Sequence, residues 1–334
     1  MEEARHYTHH EDGTITCKLC PNFCRLEIGD TGLCHARRNI LGRLIAENYG
    51  RITALHLDPI EKKPLYHFFP GHQILSAGSF GCNFHCGWCQ NSSISQAGRE
   101  AFSQLKPVTP RSLAEKAIAS GGIGLAYTYN EPTVWFEFML DTAVLMKEAG
   151  LKNVVVTNGY IQPEPLEDLL QQSDAFNVDL KAFSPDFYRK QCGASLDIIK
   201  KNLLVISRKG AHLEITFLAI PGLNDDLVLF QEMIYWITGE LGEHTPLHIS
   251  RYFPSYRTQQ PPAPFELLKR MYEIASQSLY YVYIGNVQGR SGMNATRCPG
   301  CGSLLSERNR YATTLNGIDS SGHCERCGKK VFVF

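Results

Sequence analysis

Short apolar runs alternate with amphipathic segments through the middle of the chain. Each run is typical of a buried strand, and each following segment carries the periodicity or end signals of a helix. The predicted strands cover residues 74–78, 124–128, 153–157, 175–180, 212–220 and 246–250, and residues 280–284 would add an edge strand. Such alternation favours a parallel sheet with right-handed crossovers. The pattern therefore predicts an α/β fold, either a partial (β/α)6 barrel or an open sheet.

The segments on either side of this middle part have a different character. Residues 1–70 are predicted to form a Cys-rich N-terminal lobe, in which the alternating segment 40–58 predicts a β-hairpin with Gly50 near its turn. Residues 71–290 hold the strand–helix repeats. Residues 291–334 contain two Cys pairs and few apolar residues, so we expect this tail to need a metal to fold.

Polar residues follow or close the ends of the predicted strands. They are Asn130, Glu131, Asn158, Asp179 and Lys181. Active sites of parallel α/β proteins lie at the carboxyl ends of the strands, so we expect these side chains to share one site. Two structural alternatives remain. Glu131 precedes Pro132 and would be favoured at a helix start, and Asp179 with Lys181 would make an ordinary ion pair at the sheet edge.

Composition and charge narrow the function classes. The 334 residues are 43% hydrophobic, and Lys plus Arg equals Asp plus Glu at 33 each. No net charge therefore attracts nucleic acid or an anionic membrane, and no apolar run is long enough to span a bilayer. The polar start of the chain does not read as a targeting segment. Eleven of the 12 cysteines fall in three clusters, which predicts metal ligands in a reducing, cytoplasmic environment rather than disulfides.

The central cysteine cluster has the spacing Cys-x3-Cys-x2-Cys. Cys82, Cys86 and Cys89 lie in the loop after the first predicted strand. Three thiolates would bind three irons of a [4Fe–4S] cubane and leave the fourth iron open for another ligand, whereas electron-transfer clusters normally have four Cys ligands. The alternatives are a zinc site completed by a residue such as His85, or thiols with no metal.

This spacing, with Trp88 directly before the last cysteine, closely resembles the signature of radical S-adenosylmethionine (SAM) enzymes. The resemblance implies a partial radical SAM barrel, a [4Fe–4S] cluster and SAM, which is cleaved to a 5′-deoxyadenosyl radical. YNEP (129–132) resembles the Gly-Gly-Glu-Pro segment that binds the SAM amino group, with Tyr129 and Asn130 in place of the glycines. TNG (157–159) and DLK (179–181) resemble motifs of pyruvate formate-lyase activating enzymes that reach the SAM carboxylate and ribose. The SAM contacts implied are Trp88, through its backbone, and Asn130, Glu131, Asn158, Asp179 and Lys181.

A narrower resemblance covers nearly the whole chain. The segments CKLCPNFC…GDTGLCHARRN, DPIEKKPLYHFFPG, YTYNEPTVWFEF and CPGCG…CERCG are similar to those of the AmmeMemoRadiSam family of radical SAM enzymes. That family implies the fold and the cofactors, but it does not imply a substrate.

The C-terminal cysteines are arranged as two knuckles. Cys298 and Cys301 form one, Cys324 and Cys327 the other, 22 residues further on, and each knuckle is followed by a glycine. Four thiolates at this spacing predict a zinc ribbon with a structural or docking role.

The N-terminal cysteines have the spacing Cys-x2-Cys-x3-Cys-x9-Cys. Cys17, Cys20, Cys24 and Cys34 would close a four-ligand site, so they predict zinc or an auxiliary Fe–S cluster and not a second SAM site. The spacing matches no ferredoxin run, which favours zinc. Thiols without a metal are the remaining alternative.

The sequence supports three function hypotheses. The first is a radical SAM enzyme that abstracts hydrogen from a protein or peptide, with reduced ferredoxin or flavodoxin as electron donor. The second is an activase that makes a glycyl radical in a partner enzyme. The third is a non-catalytic metal-binding or electron-transfer protein, against which the Cys82–Cys89 spacing and the strand-end motifs argue.

Overall fold

The fold is taken from a computed structural model that describes residues 2–287 and 292–334. Six short strands build two three-stranded sheets in the N-terminal lobe, in the orders β1-β6-β5 and β2-β3-β4. They are β1 (Glu2–Glu3), β2 (Tyr7–His9), β3 (Ile15–Cys17), β4 (Arg25–Leu26), β5 (Arg37–Ile40) and β6 (Arg43–Ala46).

An eight-stranded sheet forms the centre of the molecule, in the order β14-β13-β12-β11-β10-β9-β8-β7. Its strands are β7 (Ala54–Pro59), β8 (Gln73–Gly78), β9 (Gly124–Tyr127), β10 (Lys152–Thr157), β11 (Ala175–Asp179), β12 (His212–Ala219), β13 (Leu247–Arg251) and β14 (Val282–Gly285). Strands β8 to β14 run parallel, and β7 is antiparallel to β8. The predicted α/β fold and its parallel strands are therefore confirmed, with β14 as the expected edge strand.

Helices connect the parallel strands. They are α1 (Ser92–Ser95), α2 (Pro110–Ala119), α3 (Phe136–Glu148), α4 (Pro163–Gln172), α5 (Pro185–Phe187), α6 (Leu196–Arg208), α7 (Leu227–Trp236) and α8 (Phe265–Ala275). Local sequence explains where α2 begins. Thr109 accepts a hydrogen bond from Ser112 N at 3.1 Å, and Pro110 occupies the first turn, where a missing N–H costs nothing. No helix within the described residues is long and apolar enough to cross a membrane.

The hairpin predicted over residues 40–58, with Gly50 near its turn, is wrong: the N-terminal lobe instead forms a hairpin from β5 and β6. The turn lies at Leu41 and Gly42, which have φ values of 52° and 81°, as a two-residue hairpin turn requires. The segment predicted as the returning strand is β7, and it pairs with β8 in the central sheet. Alternation of apolar and polar residues shows which residues form a strand but does not identify the partner strand.

The C-terminal tail docks on the central sheet. Its strands are β15 (Thr296–Arg297), β16 (Leu304–Asn309) and β17 (Ala312–Leu315). Tyr281, Tyr283, Leu305 and Phe332 share one buried cluster. In addition, Phe69 N donates to the Val333 carbonyl at 2.7 Å. The predicted junction between barrel and tail, at residues 290 and 291, lies outside the described residues.

A buried carboxylate lies near the amino end of β12, opposite the predicted site. Glu214 accepts hydrogen bonds from the backbone N–H groups of Tyr66 and His67, at 2.9 and 2.7 Å, and it also contacts two histidines. His248 Nε2 lies 2.6 Å away and His212 Nε2 2.9 Å away. These contacts fix the segment after β7 against the sheet.

Candidate active site

A cavity of about 880 Å³ opens at the carboxyl ends of the parallel strands. Its lining brings together every residue that the sequence predicted for the cluster and for SAM, namely Cys82, Cys86, Trp88, Cys89, Asn130, Glu131, Asn158, Asp179 and Lys181. Since the carboxyl ends of neighbouring parallel strands meet at one edge, residues far apart in sequence converge here.

The cysteine loop leaves β8 and lies against the N-terminal lobe. Cys82 N donates to the Cys34 carbonyl at 3.2 Å, and Cys89 Sγ lies 3.1 Å from Ser95 Oγ. Cys82 Sγ accepts a bond from Phe84 N at 3.4 Å. Burial raises the pKa of the Cys82 thiol, so a bound metal would have to offset the cost of the thiolate.

The three sulfurs of this loop are not gathered as closely as the ligands of a single metal ion. Among the described residues, the sole group of three or more Cys, His, Asp or Glu whose ligand atoms all lie within 4.8 Å of one another is the C-terminal Cys set. The sulfurs of Cys82, Cys86 and Cys89 are thus more widely spaced. His85 is exposed, with Nδ1 3.1 Å from Gln96 Oε1, so the zinc alternative that uses His85 has no geometric support.

Glu131 caps the short helix Pro132–Trp135 and also faces the cavity. Its Oε1 accepts from Thr133 N at 3.1 Å and from Thr157 Oγ1 at 2.7 Å, and its Oε2 accepts from Asn158 N at 2.8 Å. A carboxylate has about four acceptor sites, so one remains on Oε2 for a ligand donor. Burial raises the pKa of this carboxyl group. The helix-start and ligand-binding interpretations are therefore compatible.

Asn130 and Tyr129 occupy the positions of the two glycines in the resembled motif. Asn130 accepts from Ser79 N at 3.0 Å and donates to the Gly81 carbonyl at 2.9 Å, so its side chain holds the start of the cysteine loop. Tyr129 has φ 75°, a left-handed conformation that glycine adopts freely. The backbone shape that favours glycine is thus kept by a tyrosine at a cost in strain.

Asn158 belongs to a buried amide network that the sequence analysis did not find. Its Nδ2 donates to Asn83 Oδ1 at 2.8 Å, and Asn83 Nδ2 donates to the Tyr160 carbonyl at 2.8 Å. The position of Asn83 directly after Cys82 is the sequence feature that could have pointed to this network. The network ties the cysteine loop to the end of β10.

Lys181 and Asp179 form the ion pair considered as a structural alternative, and both line the cavity. The Lys181 Nζ to Asp179 Oδ2 distance is 3.0 Å. Burial lowers the pKa of Lys181, but the neighbouring Asp179 carboxylate and Cys86 sulfur raise it by more, so the amine stays charged. Asn224 Nδ2 donates to the Lys181 carbonyl at 2.7 Å and so positions the pair.

Trp88 and Cys192 pack the cysteine loop against the segment around α5. Trp88 is buried, with its ring centroid 5.4 Å from that of Phe187. Cys192 is the cysteine outside the three clusters; it is 1% exposed and its Sγ lies 3.9 Å from Cys86 Sγ, so it is a packing residue.

A charged wall of the cavity was also missed from the sequence. Asp58 accepts hydrogen bonds from Lys62 at 2.8 Å, from Lys63 at 2.7 Å and from the Tyr129 hydroxyl at 2.7 Å. Lys62, Lys63 and Tyr129 line the cavity. The only sequence feature that could have predicted this wall is the charged segment DPIEKKP, and that segment is equally typical of an irregular connector.

The C-terminal cysteines form a compact set suited to a single metal ion. Cys298 Sγ lies 3.4 Å from Cys327 Sγ, and Cys301 Sγ lies 3.7 Å from Cys324 Sγ. A tetrahedral zinc site with Zn–S bonds of about 2.3 Å places its sulfurs about 3.8 Å apart.

The N-terminal cysteines also lie close to one another, but their side chains surround a small cavity. Cys17, Cys20, Cys24 and Cys34 line a cavity of about 10 Å³ together with Arg37. Cys17, Cys20 and Cys34 are buried, and Cys24 is half-buried.

A parallel sheet with cysteine sulfurs and polar side chains lining a cavity at its carboxyl edge is typical of α/β proteins that bind a cofactor. Residues 78–232 match the radical SAM superfamily. An uncharacterized protein of Methanocaldococcus jannaschii is 42% identical over 336 residues, which is 100% of this chain and 99% of that protein. The chain belongs to the radical SAM superfamily, and membership implies SAM and a [4Fe–4S] cluster.

Two further likenesses are more distant. Pyruvate formate-lyase-activating enzyme of Clostridium pasteurianum is 26% identical over 153 residues, which is 43% of this chain and 61% of that enzyme. Streptococcus suis SuiB bound to precursor peptide SuiA superposes with a TM-score of 0.50 at 14% identity, covering 66% of this chain and 48% of SuiB. The second likeness concerns the fold alone.

Proposed function

We propose that the protein reductively cleaves SAM at a [4Fe–4S] cluster held by Cys82, Cys86 and Cys89, and then abstracts hydrogen from a protein or peptide substrate. One observation carries the proposal: the three cysteines and the strand-end polar residues line a single cavity of about 880 Å³. When bound, the cluster and SAM supply the one-electron cleavage to methionine and a 5′-deoxyadenosyl radical.

The side chains of the cavity have distinct tasks. Glu131 Oε2 has the acceptor site needed for the SAM ammonium, and the charged amine of Lys181 suits the SAM carboxylate. Asp179 and Asn158 offer oxygens to ribose hydroxyls. Asn130 acts indirectly, since its side chain fixes the loop that carries Cys82.

The walls of the cavity favour a large substrate. Its volume is near the upper end of the 300–1,000 Å³ typical of small-molecule sites. Because the cluster and SAM would fill much of this volume, the remaining space would hold only part of a large substrate. Lys62 from the segment after β7 and Arg310 from the turn between β16 and β17 also line it. A protein or peptide that inserts one segment would therefore contact both flanking lobes.

SAM cleavage is the first test. Anaerobically reconstituted protein is reduced with dithionite in the presence of SAM, and 5′-deoxyadenosine is measured by chromatography alongside iron and zinc. We expect 5′-deoxyadenosine from the wild type and none above the blank from Cys82→Ala. Protein that contains only zinc, at all three Cys sets, would contradict the proposal.

The assignment of Glu131 is tested separately. Glu131→Gln keeps the shape but removes the charge, and we expect the Kd for SAM to rise about tenfold or more, because a charged hydrogen bond contributes about 1.5–3 kcal/mol. The exposed Glu115→Gln serves as control. Equal affinities in the two variants would contradict the assignment.

A glycyl-radical activase is the second candidate, favoured by the likeness to pyruvate formate-lyase-activating enzyme. The EPR signal of a glycine radical on mixing with a candidate partner enzyme would favour this candidate. Hydrogen abstraction from a peptide without that signal favours the first.

The surroundings of the reaction are part of the same proposal. Reduced ferredoxin or flavodoxin supplies the electron, zinc occupies the C-terminal set, and the protein works in the cytoplasm. The short sulfur separations of that set support zinc.

A further inference from the structure

The three cysteine sets of this chain fall into two geometric classes. Among the described residues, only Cys298, Cys301, Cys324 and Cys327 bring their sulfurs within 4.8 Å of one another. No three sulfurs of the N-terminal set do so, and the same holds for Cys82, Cys86 and Cys89. The N-terminal set therefore shares the wide spacing of the cysteines expected to hold a cubane.

The N-terminal cysteines surround an enclosed space. The cavity of about 10 Å³ between them is lined by Leu19, Leu26 and Val134 as well as by the four thiols. A zinc ion needs sulfurs about 3.8 Å apart and leaves no gap between them. In a cubane each thiolate binds a different iron, so the sulfurs stand further apart around a central volume.

We propose that Cys17, Cys20, Cys24 and Cys34 hold a second [4Fe–4S] cluster with four protein ligands, which exchanges electrons with the cluster at Cys82, Cys86 and Cys89. The sequence favoured zinc because the cysteine spacing matches no ferredoxin run. The wide separation of the four sulfurs around an enclosed cavity is the stronger observation, and it favours a cluster. Four ligands leave no iron open for SAM, so electron transfer is the task that such a cluster can perform.

The charge around the cavity suits a negative group. Arg37 is 1% exposed and lines the cavity, with Nη1 4.0 Å from Cys17 Sγ. Its Nη2 pairs with Glu137, and its buried Nε has no hydrogen-bond partner among the described residues. Glu137 already balances the charge of Arg37, but the unused Nε donor and the position of Nη1 beside Cys17 leave this cation able to face a second negative group, which a cluster with four thiolates supplies.

The two cluster sites are in direct backbone contact. The Cys34 carbonyl accepts from Cys82 N at 3.2 Å, and Asn22 Nδ2 donates to the Asn83 carbonyl at 3.1 Å. In this proposal one electron from reduced ferredoxin or flavodoxin reduces the N-terminal cluster. The same electron then passes to the SAM-binding cluster, which reoxidises the first. The transfer step rests on the proposed function, whereas the presence of the N-terminal cluster does not.

Metal content tests the presence of the cluster. The variant Cys82→Ala/Cys86→Ala/Cys89→Ala is reconstituted anaerobically, and iron, sulfide and zinc are counted per chain. We expect about four irons and four sulfides in this variant, about eight of each in the wild type, and about one zinc in both. A variant with no iron and about two zincs would overturn the proposal. The wild-type counts decide the matter if the variant does not fold, because an N-terminal zinc site gives about four irons and two zincs.

EPR of the reduced proteins tests the exchange. Two neighbouring reduced clusters should give a spin-coupled spectrum in the wild type. The triple variant should instead show one isolated signal that SAM does not change. Cys17→Ala/Cys20→Ala should show one isolated signal that responds to SAM. If the wild-type spectrum equals the sum of the two variant spectra, electron exchange between neighbouring clusters is overturned even where the iron count supports the second cluster. If the triple variant contains a cluster but SAM changes the spectrum of none of the three proteins, the proposed function alone is contradicted.

Discussion

At the residue scale, one glycine allows the two cysteine loops to touch. Gly81 has φ 90°, and a Cβ atom there would lie 2.3 Å from the Cys34 carbonyl oxygen. Both the left-handed backbone and the close approach exclude a side chain. The contact between the N-terminal lobe and the cysteine loop therefore depends on this position.

Gly81→Ala should destabilise the protein by about 1–3 kcal/mol, because the backbone must strain or the loops must separate. The free energy of unfolding in denaturant measures the effect. Gly150→Ala is the matched control, since Gly150 has φ 71° but nothing within 4 Å of an added Cβ. Equal losses in the two variants would mean that the contact with Cys34 does not matter.

Tyr129 shows how one residue keeps a strained conformation through its side chain. Its hydroxyl donates to Asp58 at 2.7 Å, and Lys63 Nζ lies 5.0 Å from its ring centroid. Tyr129→Phe keeps the ring and removes the hydrogen bond to a charged group. We expect a loss of about 1–2 kcal/mol in the free energy of unfolding. An unchanged unfolding midpoint would show that the ring contacts alone hold the left-handed backbone.

At the element scale, the C-terminal tail combines a metal-dependent part with a docked part. The loop Cys324–Cys327 has exposed residues and few apolar contacts, whereas Leu305 and Phe332 are buried against the sheet. We therefore expect loss of the metal to unfold the knuckles first and to leave the docked strands in place.

Cys324→Ser should lower the zinc content by about one ion per chain and expose the knuckles at residues 298–301 and 324–327 to protease, because a structural zinc contributes directly to folding free energy. Mass spectrometry of limited digests locates the cleavages. Glu325→Ala, at an exposed position in the same loop, should behave like the wild type. Protease resistance without zinc would show that packing alone folds the tail.

At the scale of the whole molecule, a buried histidine connects the segment after β7, the tail and the sheet. His67 Nδ1 donates to the Val331 carbonyl at 2.9 Å, and its Nε2 accepts from the Tyr283 hydroxyl at 2.6 Å. Burial lowers the pKa of His67 to about 3. The native state therefore holds this ring neutral at pH values where the unfolded chain binds a proton.

Stability should fall as the pH decreases from the unfolded-state pKa of about 6.5 towards 3, with a slope of up to about 1.4 kcal/mol per pH unit from this one proton. Unfolding midpoints between pH 7 and pH 4.5 measure the slope. His67→Gln lacks the titration and should show a shallower pH dependence, whatever its stability at pH 7. Parallel curves for the two proteins would contradict the assignment.

Much of the fold and the site was predictable, for local physical reasons. Apolar periodicity depends on residues close in sequence, so the strands β8 to β14 appear nearly where expected, and the start of α2 at Thr109 and Pro110 is fixed by local sequence as well. The spacing of Cys82, Cys86 and Cys89 is local too. The pairing of β7 with β8 and the wall around Asp58 join segments through folding, and no local pattern identifies their partners.

The sequence by itself determined the chemistry that this protein can carry, because ligand types, their spacing and their order after strands are written along the chain. Only the tertiary structure decided how the sets relate. It brings the four sulfurs of the C-terminal set close together and holds those of the N-terminal set further apart around a cavity. It also places Cys34 in contact with Cys82. The physical reason is that metal choice and electron exchange depend on distances between atoms, and those distances are set by packing between elements that are remote in sequence.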